Sequence, residues 1–126
     1  ISQGVQDVYS TGERIAPLRI RTPTGTDNYY VKIVDATSGA PVMTLFVLAG
    51  QAFDTEVPLG SYRVKYATGT VWYGTERLFG PDTRFSEAAR TFEFRRQGNQ
   101  LSGYTIELIR QQGGNLSTTR ISPEQF

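Results

Sequence analysis

Cysteine and histidine, two residue types that carry much of protein chemistry, are both absent from this 126-residue chain. Without cysteine there are no disulfides, no thiol catalysis and no cysteine-type metal sites. Without histidine the chain lacks the commonest general base and every Ser-His or Cys-His catalytic arrangement. We therefore expect no metal and no cofactor, and enzymes are the least favoured class of function.

Strong charge of one sign and long apolar runs are also missing. Thirteen cationic residues are scattered among twelve acidic ones, and the net charge is only +1. So weak a field does not favour a nucleic-acid partner. No run of eighteen apolar residues occurs, so the sequence predicts no transmembrane segment.

The length and the apolar content that are present predict one folded domain. The chain has an apolar fraction of 38%, with seven Tyr and seven Phe, which is ordinary for a globular protein of this size. Residues 1–14 are polar and interrupted by glycine, so we expect an extended arm or linker there and a single domain over 15–126. The start on Ile1 instead of Met favours removal of an upstream segment, and a cleaved signal peptide, a lost membrane anchor and trimming before expression would all leave this start. We expect an extracytoplasmic location, whether periplasmic, cell-surface or secreted.

Alternating apolar and polar residues, bounded by turn residues, predict an all-β fold. The predicted strands lie at about 17–22, 29–35, 42–48, 51–57, 61–67, 90–97 and 102–110, with a short last strand at 116–121. This number of strands indicates a seven- or eight-stranded antiparallel β-sandwich. At most one short helical turn is expected, near 86–91, where Ser86 would cap it.

The alternation also predicts which side chains face the core, because residues two apart in a strand point the same way. Tyr62, Val64 and Tyr66 are expected to face the core. Lys32 and Lys65 alternate with the inward-facing residues of their own strands, so both are expected to face water. An isopeptide bond through either lysine is therefore disfavoured, since such a lysine must be buried beside its partner.

One predicted strand, 42–48, breaks the alternation because it is apolar on both faces. A strand of this kind needs cover on both sides. The cover comes either from another segment of the chain or from a second molecule. Met43, Leu45 and Val47 are accordingly candidates for an interface strand.

Two motifs in this region carry a resemblance to a known family. Residues 34–42 read VDATSGAPV, and residues 57–64 read VPLGSYRV. Both resemble the transthyretin-like sandwiches, namely the carboxypeptidase regulatory-like and CnaB-like domains, over residues 29–69. The resemblance implies a transthyretin-like or Ig-like sandwich and says little about activity. The later block WYG…LFGP is similar to one found in bacterial β-domain proteins.

The long aromatic excursion at 71–83, VWYGTERLFGPDT, is the segment most indicative of function. It joins strands where a tight turn would suffice, and its large side chains are unfavourable to expose. Either they close the end of the sandwich as a satellite core, or they form a contact patch for a partner. The candidate partner-binding residues are Trp72, Tyr73, Arg77, Leu78, Phe79 and Arg84.

Three classes of function follow from these observations. The first is a non-catalytic interaction or accessory module that binds a protein or a surface polymer through the excursion. The second is a self-assembling structural subunit of a filament, coat or phage-like particle, in which the arm or residues 117–126 add a strand to a neighbouring copy, giving a homo-oligomer. The third and weakest is an acid-dependent hydrolase, for which Asp54 and Glu56 are the only paired acids.

Overall fold

The computed structural model describes residues 3–108 and 118–126, and within them the chain is an all-β sandwich, as predicted. Twelve strands and two short 3-10 turns, at Gly80–Asp82 and Pro123–Gln125, lie in these ranges. The strands are β1 Gly4–Val8, β2 Ala16–Arg21, β3 Asn28–Asp35, β4 Pro41–Val47, β5 Ala52–Val57, β6 Gly60–Gly69, β7 Arg84–Ala88, β8 Phe92–Phe94, β9 Arg96–Gln97, β10 Gln100–Leu101, β11 Tyr104–Glu107 and β12 Thr118–Arg120.

Two sheets form the layers of the sandwich. The main sheet has the order β1-β4-β3-β6-β7-β12, and β8 pairs with the first residues of β6 while β7 pairs with its last ones. The small sheet has the order β11-β2-β5, and β9 and β10 form a separate hairpin. The strand pairs are antiparallel, as predicted, except at one place, where β11 runs parallel to β2.

The main core fills the space between the two sheets. It takes the inward residues of both, with Leu18 and Ile20 from the small sheet opposite Tyr62, Val64 and Tyr66 from the main sheet. The parity predicted for β6 is thus confirmed. Because a strand alternates its faces, the same sequence pattern leaves a second, outer face on the main sheet, and that face carries the candidate site.

Two strands lie where the sequence predicts something else. Gly4–Val8, within the expected arm, pairs with β4 as the edge strand of the main sheet, and Val5 packs against the core. Residues 86–88, where the sequence allows at most a short helical turn, belong to β7, which pairs with the end of β6 and buries Ala88. In both places pairing with a distant strand overrides weak local preferences, which a sequence pattern does not reveal.

The two turn motifs of residues 29–69 adopt tight geometry. The Asp35 carboxylate accepts hydrogen bonds from the Thr37 and Ser38 amides at 2.9 and 2.8 Å, and Gly39 has φ of 76°. In the second motif the Tyr62 hydroxyl donates to the Pro58 carbonyl at 2.7 Å. These contacts fix the β3–β4 and β5–β6 connections.

Candidate functional site

A second hydrophobic cluster, here called the outer cluster, covers the outer face of the main sheet. Its buried members come from three neighbouring strands and the 71–83 excursion, and four partly buried side chains pack against them. The buried residues are Tyr30, Phe46, Ala67 and Phe79, and the partly buried ones are Trp72, Leu78, Phe85 and Phe126. The sheet therefore has apolar cover on both faces.

The excursion is held on this face by packing and by its own hydrogen bonds. The Tyr73 amide donates to the Leu78 carbonyl at 2.7 Å, and the Leu78 amide donates to the Gly74 carbonyl at 2.6 Å. Further along, the Phe79 amide donates to Thr83 Oγ1 at 3.0 Å. Leu78 takes a φ of 53°, unusual for a residue other than glycine, where the chain folds back. The segment is thus a closed loop with a defined shape.

The structure divides the predicted binding residues of the excursion into two groups. Phe79 is only 3% exposed, and Trp72 packs edge-on against Phe46 and Phe79 with ring centroids 5.1 and 5.2 Å apart. Leu78 also packs into the outer cluster. These three side chains hold the excursion against the sheet. They therefore form a satellite core, the first of the two alternatives that the sequence left open.

The other group remains accessible to a partner. Tyr73 is 57% exposed, and its ring lies against Gly80, where an added Cβ would come within 2.9 Å of it. Arg77 is exposed, and the Tyr73–Leu78 hydrogen bond brings its backbone close to Tyr73. Val71, which the sequence did not single out, is 54% exposed on the other side of Trp72.

Arg84 is exposed but is separated from this group. It is the first residue of β7, and the next residue, Phe85, packs against the outer cluster. Because side chains alternate along a strand, Arg84 lies on the opposite face of the sheet. The structure therefore does not bring Arg84 to the patch formed by the excursion.

The candidate interface strand is not available to a partner. Met43, Leu45 and Val47 are all 0% exposed and belong to the main core between the sheets. On the other face of β4, Phe46 lies under Trp72 and Phe79. The chain itself therefore supplies the cover that this doubly apolar strand requires, and the expectation of an interface through these three residues was wrong.

Two lysines stand directly opposite each other on the outer face, Lys32 in β3 and Lys65 in β6. The sequence predicts that both face water, but each donates to a main-chain oxygen of the last two residues. Lys32 Nζ lies 2.7 Å from the Phe126 oxygen and Lys65 Nζ 2.6 Å from the Gln125 oxygen. Burial lowers the pKa of Lys32, and the charge of Lys65 lowers it further.

A cleft of about 310 Å³ opens beside the lysine pair. The outer face of the sheet supplies Lys32 and Thr44, the excursion supplies Thr75 and Leu78, and the end of the chain supplies Phe126. The cleft thus offers one cation and four hydroxyl-bearing side chains, those of Tyr9, Tyr30, Thr44 and Thr75, beside apolar residues. None of the described residues that line it is acidic, so it suits recognition of a polar group better than proton transfer.

The paired acids considered for hydrolysis lie on the opposite sheet. Asp54 on β5 forms an ion pair with Arg19 on β2 at 2.5 Å, and this contact lowers the pKa of Asp54. A carboxyl with a lowered pKa is a poor proton donor near neutral pH. The described residues contain no group of three or more acids that could hold a metal ion.

Sequence reasoning missed the contribution of the chain's end to this site. Phe126, Gln125 and Tyr9 lie far in sequence from the excursion, and Phe126 and Tyr9 line its cleft. The available signal was a lone aromatic after Ser-Pro-Glu-Gln at 122–125, within a polar segment.

In the part of the chain that the structure describes, no helix is long and apolar enough to cross a membrane.

Comparisons with protein-family models, with curated proteins and with solved structures found no match.

Proposed function

We propose that this protein is a non-catalytic interaction module that binds a protein partner through the exposed side of the 71–83 excursion. The observation that carries the proposal is the contrast within the excursion. Trp72 and Phe79 fix it to the sheet, while Val71 and Tyr73, the two sequence neighbours of Trp72, stay 54% and 57% exposed. A rigid loop that presents accessible apolar and aromatic side chains loses little conformational entropy when it binds.

The composition of the exposed patch supports a protein partner. Tyrosine and arginine are enriched among the residues that contribute most to protein–protein affinity. Here Tyr73 and Arg77 supply one of each, with Val71 as an apolar neighbour. The sandwich, which we propose to be transthyretin-like on the motifs at 34–42 and 57–64, acts as the scaffold that positions them.

Photocrosslinking at two matched positions tests the proposal. A photoreactive phenylalanine analogue replaces Tyr73 in one variant and Leu59 in the control. Leu59 is an exposed apolar residue just before β6, whereas the excursion follows the other end of that strand. After irradiation in an extract of the cells that make the protein, we expect one defined protein adduct at position 73 and none at position 59.

A second measurement with the purified partner decides whether the patch carries the affinity. The double variant Val71→Ala and Tyr73→Ala should weaken binding at least tenfold, as is typical for loss of a central aromatic contact. Its thermal unfolding should match that of the unmodified chain, because neither side chain belongs to a core. Equal adducts at both positions, or unchanged affinity of the double variant, would overturn the proposal.

A further inference from the structure

The segment 118–126, here called the tail, is seated on the main sheet as an added strand followed by an aromatic anchor. β12 pairs with β7 over three residues, Thr118 to Ala88, Thr119 to Glu87 and Arg120 to Ser86. The next amide, of Ile121, donates to the Phe85 carbonyl at 3.1 Å. The tail therefore forms one edge of the main sheet.

The anchor is Phe126, which lies over the outer cluster. Its ring centroid is 5.3 Å from that of Phe85 and 6.1 Å from that of Tyr30. Lys32 Nζ sits 4.3 Å from the centre of the same ring, within the range of a cation–π contact. Together with the two lysine hydrogen bonds, these contacts form a site that recognises an aromatic residue and the main chain around it.

The surface that the tail covers would be unfavourable if it were exposed. Without the tail, Lys32 and Lys65 would face each other with their carbonyl acceptors gone, and like charges directly opposite each other destabilise a sheet. Phe85 and Tyr30 would lose their contact with the Phe126 ring, and the backbone of β7 would become an open edge. The site therefore requires an occupant of this chemistry.

The tail itself buries little of its own surface. The side chains of Thr118, Thr119 and Arg120 are all exposed. Ile121, at 9% exposure, and the half-buried Phe126 are its apolar contacts with the domain. Every tail contact named above is made to β3, β6 or β7, and a segment of the same sequence from another molecule would make the same contacts.

We propose that the tail is exchanged between copies of this chain, so that the tail of one molecule pairs with β7 of another and seats its Phe126 on that molecule's lysine pair. Exchange of an identical element is a low-cost route to a dimer, because the contacts are conserved and only their origin changes. Addition of a strand to a sheet edge is also an established mode of protein association. The partner at this surface is thus a second copy of the same chain.

Because the chain contains no cysteine, engineered disulfides report exchange without background. Ser86 and Arg120 are directly paired between β7 and β12, a geometry that a disulfide can span. One full-length variant carries Ser86→Cys and another carries Arg120→Cys. The two are mixed in equal amounts at about 0.5 mM, oxidised gently and separated by mass without reduction.

We expect a mixed disulfide between the two variants, formed at least fivefold more than in a control in which Glu56→Cys replaces Arg120→Cys. Glu56 is exposed on the small sheet, on the other layer of the sandwich. The yield should fall on dilution, since exchange requires two molecules.

A double variant with both cysteines in one chain completes the design. Rapid intramolecular disulfide formation shows that the two positions are close enough to react, and the locked chain should remain monomeric by light scattering. If the double variant closes readily while the mixed pair gives no more product than the control, the proposal is wrong. Glu87→Cys with Thr119→Cys, the adjacent pair, replaces the first pair if either variant fails to fold.

This inference does not depend on the excursion binding a partner, because the residues substituted here lie in β5, β7 and β12 and none of them lies in the excursion. A failure of exchange leaves the proposed interaction module untouched. Its success would support the self-assembling class of function through the tail.

Discussion

Phe79 lies directly on Gly69, so closely that a Cβ added to Gly69 would come within 2.3 Å of the Phe79 Cβ. This contact seats the excursion on the last residue of β6. Gly69 has no left-handed φ, so alanine is compatible with its backbone, and a strand normally gains stability from that substitution. We expect Gly69→Ala instead to lower the free energy of unfolding by about 2 kcal/mol through overpacking, as measured by urea denaturation.

A double-mutant cycle identifies Phe79 as the cause. Gly69→Ala combined with Phe79→Gly should cost less than the sum of the two single substitutions, because glycine lacks the Cβ and Cγ atoms that the added methyl group would overlap. Additive costs would show that the alanine acts on something other than Phe79.

Trp72 and Tyr73 are neighbours in sequence, but their substitutions should differ strongly in their effect on stability. Trp72→Ala removes a ring packed against Tyr30, Phe46 and Phe79, and should lower the free energy of unfolding by about 2–3 kcal/mol. Tyr73→Ala should change it by less than about 0.5 kcal/mol, because the side chain is mostly exposed. Thermal or urea unfolding of both variants checks the difference. Similar losses would contradict the division of the excursion into anchors and presented residues.

The Tyr62 hydroxyl donates a hydrogen bond to the Pro58 carbonyl just before β6. Tyr62→Phe keeps the ring in the main core but leaves that carbonyl without its donor. We expect a loss of about 1 kcal/mol in the free energy of unfolding. Tyr9→Phe, at an exposed position, is the matched control and should have no measurable effect.

The stability of the β3–β4 turn should depend on pH through Asp35. The amides of Ser38 and Thr37, in that order, lower the pKa of its carboxyl below the ordinary value of 3.8. The stability that Asp35 contributes is therefore fully present above about pH 4 and is lost as pH falls through its folded-state pKa. The Asp35→Asn variant should be less stable than the unmodified chain at pH 7, and the difference should shrink as pH falls through the folded-state pKa of Asp35. A constant difference from pH 7 to pH 2 would show that the charge has no role.

The lysine pair gives a spectroscopic prediction. The pKa of Lys32 is lowered first by burial and second by Lys65. Replacement of Lys65 by Gln should raise the pKa of Lys32 without restoring the ordinary value of 10.5, because the burial remains. NMR titration of lysines labelled at Cε measures this directly, since the chain has only two lysines. An unchanged or lower pKa in the variant would show that the two charges do not interact.

Local patterns in the sequence were sufficient to predict most of the strands. β2 to β6 lie within one or two residues of their predicted positions, because each has clear alternation or an apolar run bounded by turn residues. β1 and β7 escaped prediction because each is short and mixes polar with apolar residues without a sustained alternation, and their identity as strands comes from pairing with β4 and β6. A local pattern carries no information about such a partner.

The candidate site shows the same division. The sequence singled out the excursion because clustered aromatic residues are unfavourable in water, and the structure places most of them against the sheet. Which of these aromatic side chains are buried depends on the outer face of β3, β4 and β6. Phe46 lies on that face, and the sequence of its strand does not show whether the chain itself or a second molecule covers it. The three expected interface residues of β4 were buried for the same reason, since the chain covers both faces of that strand.

The sequence by itself determined that this chain is an all-β domain without cysteine or histidine chemistry. Composition and period-two alternation are local properties, so they can be read from the sequence without knowing which strands pair. Only the tertiary structure decided that Trp72 and Phe79 anchor the excursion while Tyr73 is presented. It also decided that Lys32 and Lys65 hold the end of the chain. Those outcomes depend on contacts between residues up to 94 positions apart, as between Lys32 and Phe126, and such contacts exist only once the sheets have formed.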